Sequence, residues 1–174
     1  MKTDIYQALE KLESDTKFIL DACSKVDAAK LEQGPKPGKW SVMEIMEHLI
    51  AAEAMSLAYM KKKYQGINDI PATGPGASFR LFALKISQRL PLKYKAPKVM
   101  LNPERKYHNF ESLRQAWQQE RQALKAVIDA FDESKINAAI YKHPAAGRFN
   151  LKQAVIFFHE HFIHHLPQIK RLIS

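Results

Sequence analysis

Four stretches of this chain repeat apolar residues at alternating steps of three and four, and that rhythm limits what it can fold into. From about Thr3 to Leu31 the repeating set is Ile5, Leu9, Leu12, Ile19, Cys23 and Val26. From Asn109 or Phe110 it is Leu113, Trp117, Leu124, Val127 or Ile128, and Phe131. Such spacing lines one side of an α-helix with apolar side chains that have to be buried against a partner. Two further stretches announce their own starts. Ser41 with Glu44 forms a capping-box pattern, with Trp40 before it as a staple against Ile45, and predicts a helix to about Tyr64. Asn150 with Gln153 predicts another, running to about Ile173. No convincing strand alternation is present anywhere.

Between these stretches lie shorter pieces. Gly34-Pro35-Lys36-Pro37-Gly38 breaks the chain, and Gly66 to Gly76 is turn-rich. Ser78 to Leu90 reads as a shorter helix, and Pro91 to Tyr107 as an ordered connection crossing the molecule. A short helical piece is expected over Glu133 to Ile140, then a turn at His143-Pro144-Ala145-Ala146-Gly147. Residues 1–174 are read as one domain, all-α, with four long helices packed as a bundle.

Composition narrows the function classes. Basic residues outnumber acidic ones 27 to 18, a formal net charge of +9. That excess suits an anionic partner, but it is dispersed. Lys61-Lys62-Lys63 closes a helix, where cations favour the helix dipole. Lys93, Lys95 and Lys98 lie in a proline-bearing connection. Neither group has the makings of a nucleic-acid module, so no nucleic-acid partner is expected. No window approaches the ~18 uninterrupted apolar residues of a membrane span, and no membrane partner is expected. The start of the chain has no secretory h-region. The one cysteine, Cys23, sits at a core spacing and reads as a buried apolar-like side chain. Together these point to a cytoplasmic protein.

The histidines carry the chemistry. The last helix reads His159-Glu160-His161-Phe162-Ile163-His164-His165. His161 and His165 are four residues apart, so they stack on one helical face and can converge on one ion at ~2.0–2.1 Å. His164 is turned about 100° from His165, and His159 also lies away from His161. His48 shares a side of its helix with Ile45, Ala52, Met55 and Tyr59, so its imidazole points coreward. Taken alone, such a histidine is more often a satisfied core or edge residue. His161-Phe162-Ile163-His164-His165 also lacks the glutamate that marks a zinc-protease helix.

At these residues the chain resembles the DinB/YfiT-like superfamily. Lys39-Trp40-Ser41-Val42, Glu44, His48-Leu49 and Glu53 look like its second-helix signature. His161 with His165-Leu166-Pro167-Gln168-Ile169 is similar to its last-helix signature, and His143-Pro144 with Gly147 matches the approach to that helix. The resemblance implies a four-helix bundle with a long crossover, and metal ligation by one histidine of the second helix and two of the fourth. Carried onto this sequence, the ligands are His48, His161 and His165. It further implies a divalent metal ion, zinc or nickel, and a homodimer. Some relatives transfer a low-molecular-weight thiol such as bacillithiol to a small-molecule substrate, so such a thiol is an expected co-substrate.

Three neutral histidines leave an open coordination position, suited to activating a thiol or a water. Glu44, Glu47, Glu53 and Glu160 are candidate bases or histidine orienters. Arg80, Lys85, Arg89 and Arg148 are candidate cations at the mouth of the site, and Met55, Tyr59, Trp117 and Phe158 a candidate apolar lining. Pro167 removes the amide that would bond the Ile163 carbonyl and is expected to bend its helix.

Overall fold

The computed structural model describes residues 2–89 and 106–174. Its elements in chain order are helices α1 (Lys2–Cys23), α2 (Ala28–Glu32), α3 (Val42–Tyr64), α4 (Gly76–Arg89) and α5 (Phe110–Ala130), strands β1 (Tyr141–His143) and β2 (Gly147–Phe149), and helix α6 (Leu151–Ile173). The four long helices close a ring: α1 packs on α6, α6 on α3, α3 on α5, and α5 on α1. The fold is an all-α four-helix bundle. Helix α4 lies outside the ring, on α6. It sits within the connection from α3 to α5, most of whose later part, including Pro91 and the lysines near it, falls outside the described residues.

Reciprocal caps set the starts of three long helices. Ser41 Oγ accepts from the Glu44 N–H at 3.1 Å, and the Ser41 N–H donates back to Glu44 at 2.7 Å. Asn150 and Gln153 do the same at 2.9 and 3.1 Å, and Asn109 pairs with Ser112 at the head of α5. Each box satisfies amide groups that have no partner within the helix.

The inner faces then bury in one core cluster. Leu12, Met43, Ile45, Met46, Trp117 and Phe162 are each 0% exposed. Cys23 is buried among them, and desolvation pushes its thiol up to about 12, so it behaves as an apolar side chain. A charged pair crosses this interior. Arg121 of α5 holds Glu53 of α3 through both guanidinium Nη atoms, with Thr16 of α1 at 3.5 Å.

Local structure departs from the expectations in three places. The first stretch is two helices: α1 stops at Cys23, and Asp27 starts α2 by accepting the Ala29 N–H at 2.8 Å. The piece expected over Glu133 to Ile140 is helical only as a 3-10 turn at Glu133–Lys135. Two short antiparallel strands flank the turn at residues 143–147, pairing Tyr141 with Phe149 and His143 with Gly147. Gly147 has φ +80, a left-handed conformation that glycine adopts without steric cost. Helix α6 continues through Pro167.

Candidate metal centre

The capped helices α3 and α6 meet with His48 opposite His161 and His165. The three ring centroids form a triangle with 5.1 Å on every side. One nitrogen from each ring lies within 4.8 Å of the others, the geometry of a group able to hold a metal ion. His48 is 7% exposed, and the other two are half-buried.

The donors fit an ion. Two ligand nitrogens at ~2.0–2.1 Å from one tetrahedral ion stand about 3.3 Å apart, and His48 Nε2 is 3.2 Å from His161 Nε2. Without an ion, one of these rings has to donate an N–H to the other. Burial lowers all three basicities. His48 falls to about 4, through desolvation first and then the nearby His164. His165 falls to about 3, through desolvation and then the charges His48 and His164 would carry. His161 is lowered well below its ordinary value, again by desolvation first and then by its neighbours. Imidazoles held neutral are in the form that donates a lone pair to a metal.

The surrounding side chains orient these rings. His165 Nδ1 faces Gln168 Oε1 at 3.4 Å, so an Nδ1–H donated there leaves Nε2 with its lone pair. Phe157 lies parallel to the His161 ring, with centroids 5.7 Å apart and 8° between the planes. Trp40 is 5.0 Å from His48 and 6.4 Å from His165. The residue read as a helix staple thus also touches two candidate ligands.

The neighbouring histidines are directed elsewhere. His159 Nε2 meets Asp15 of α1 at 2.7 Å. His164 donates Nδ1–H to the Gln88 carbonyl of α4 at 2.5 Å, although its ring is 4.9 Å from that of His165. His143 lines the inner face of the hairpin, its Nδ1 accepting the Ala145 and Ala146 N–H groups at 3.1 and 2.9 Å.

None of the four candidate glutamates joins the cluster. Glu44 is in its cap, Glu47 accepts the Tyr107 N–H at 3.1 Å, and Glu53 is held by Arg121. Glu160 accepts from Arg89 at 2.9 Å and from Lys85 at 3.2 Å. Among the candidate cations, Arg80 instead donates to the carbonyls of Ala146 and Arg148. Trp117 and Phe158 belong to the core, and Met55 is 46% exposed. Phe157 and Trp40 line the site in their place. Phe157 adjoins the core stripe in the sequence, and only its four-residue spacing to His161 could have pointed to it.

A profile of the DinB superfamily matches residues 8–169, which takes in α3, α6 as far as Ile169, and every residue of the histidine cluster. No curated protein and no solved structure matches the chain. By the extent of the profile match, the chain belongs to the DinB superfamily.

Proposed function

We propose that this chain is a divalent-metal-dependent enzyme that transfers a low-molecular-weight thiol, of the bacillithiol kind, to a small electrophile. His48, His161 and His165 would hold the ion, zinc or nickel. The observation that carries this reading is the cluster itself: three imidazoles, lowered in basicity by burial, with nitrogens spaced for one ion and no carboxylate beside them among the described residues. A set of three neutral donors keeps a position open for a reactant. A divalent ion there supplies Lewis acidity, making a thiol or a water acidic enough to react as a nucleophile near neutral pH.

The chain's own residues do the rest. Gln168 fixes the face of His165, Phe157 fixes the plane of His161, and Trp40 covers His48. In the transfer the thiol releases its proton to solvent and its sulfur bonds to the electrophilic carbon. The leaving group departs with its bonding pair.

A hydrolase built on the same donors is the second reading. Thiol transfer is favoured because Glu44, Glu47, Glu53 and Glu160 are each engaged elsewhere. Water needs more help from a base than a thiol of pKa about 8.5 does. A third reading, a stress or interaction protein without turnover, keeps the bundle and gives the cluster no reaction. The proposal further includes a reducing, cytoplasmic setting and a homodimer, with no nucleic-acid partner.

The test has two parts. Untagged wild type should carry about one metal ion per chain, and His161→Ala far less; equal content in both would remove the site. Metal-loaded protein is then mixed with a panel of thiols and electrophiles and followed by mass spectrometry. Metal-dependent thioether products are expected, and hydrolysis products alone would favour the second reading.

A further inference from the structure

Helix α4 is apolar on two opposite sides. Its inner side, with Ala77 and Leu81 buried and Leu84 half-buried, packs on the bundle. On its outer side Phe79, Phe82 and Ile86 are 72%, 59% and 46% exposed. Helical geometry gathers these three and Ala83 into an arc about 100° wide. Arg80 borders the arc on one side, and Arg89, with Lys85 behind it, on the other.

Among the described residues the charge around this arc is mainly basic: Asp4 shares a cavity with Phe82 and Lys85 but is paired with Lys152 at 2.9 Å. Helix α4 contains no aspartate or glutamate. Among the described residues Lys85 and Arg89 share a single carboxylate, Glu160. Among the described residues Arg80 is bonded only to carbonyls, which leave its charge uncompensated. Those carbonyls tie it to the hairpin, where Lys142 and Arg148 stand directly opposite each other on the exposed side. Like charges opposed across a strand pair are unfavourable, and here they extend the basic rim.

The charge also discriminates between occupants. A second copy docked symmetrically would set the same cations of each chain around one shared apolar seam, at an electrostatic cost. An anionic bilayer complements both features: its phosphates attract the rim and its acyl boundary takes the aromatic side chains. We propose that α4 docks this chain onto an anionic lipid surface. Phe79, Phe82 and Ile86 enter the headgroup–acyl boundary, and Arg80, Arg89, Lys142 and Arg148 face the lipid phosphates. No helix among the described residues is long and apolar enough to cross a membrane, so the contact lies on the surface. The expectation of no membrane partner rested on the lack of a span, and a surface contact does not need one. The last turn of α4 is tied to α6 through Glu160 and His164, so the docking face adjoins the histidine cluster.

The experiment is flotation of the full chain with phosphatidylcholine vesicles and with phosphatidylcholine–phosphatidylserine vesicles, at low and high salt. Binding is expected only to the serine-lipid vesicles, and it should weaken as salt rises. A Phe79→Ser/Phe82→Ser variant of unchanged helicity should bind about tenfold more weakly or worse. A Lys142→Gln/Arg148→Gln variant should lose binding without loss of fold. Absence of binding at low salt, equal binding to both vesicles, or full binding by the phenylalanine variant would each overturn the proposal. So would a dimer in sedimentation that the phenylalanine variant dissociates, since a second copy would then cover the face.

Discussion

His143 shows how far one side chain's state can be read from its contacts. Backbone amides only donate, so the two N–H groups on Nδ1 require that nitrogen to be unprotonated, and the ring's proton sits on Nε2. Burial lowers its basicity from 6.5 to about 4. A lowered histidine pKa means that the unfolded chain binds the proton more readily. Its contribution is therefore full above the unfolded pKa and is lost as pH falls from about 6.5 towards 4. Between pH 7 and 5 this amounts to about 2 kcal/mol. Urea unfolding of metal-free wild type and of His143→Gln should show a flatter pH dependence in the variant, by an amount of that order. Parallel curves would mean the ring titrates alike in both states. At the same scale, the i, i+4 rule paired His161 with His165, and their ring centroids lie 5.1 Å apart. It could not pair His161 with His48, because residues 113 apart in sequence meet only through packing.

Helix starts were legible because a capping box is written within four residues, and both expected boxes formed. The split of the first stretch was not, since the apolar rhythm runs on through Val26 while the Asp27 cap cuts across it. The hairpin escaped notice because strands of three residues are too short to show an alternation. The pairing of elements is clearest at Arg121 and Glu53, which join α5 to α3. Burial pushes the Glu53 carboxyl up and the Arg121 charge opposes it. Removing one partner leaves a buried charge without compensation, so Arg121→Ala should destabilise by about 3–5 kcal/mol. An Arg121→Met/Glu53→Leu double variant should recover most of that loss. Denaturant unfolding of both checks this, and a double variant as unstable as the single one would show that the pair does more than cancel its own burial.

Over the whole molecule, the candidate ligands come from both sides of one helix–helix contact, so occupancy of the cluster should be linked to folding. A ligand bound only by the folded chain, at about 100 times its dissociation constant, adds about 2.7 kcal/mol. Zinc added to metal-free protein should therefore raise Tm in wild type and leave His161→Ala unchanged. An equal rise in both would locate binding elsewhere.

By itself the sequence determined what is local: four long helices, the caps that begin α3 and α6, the buried apolar character of Cys23, and two histidines on one face of α6. These follow from spacings of three and four residues and from side-chain–backbone bonds within a turn. The family resemblance had added His48 to the histidine pair of α6, and the tertiary structure set its ring against theirs. The tertiary structure alone decided the rest of what depends on distant segments meeting: the glutamates drawn to other partners, Phe157 and Trp40 lining the site, and α4 left with an apolar outer side. Packing in three dimensions selects those neighbours, and no local pattern encodes which distant side chain will arrive.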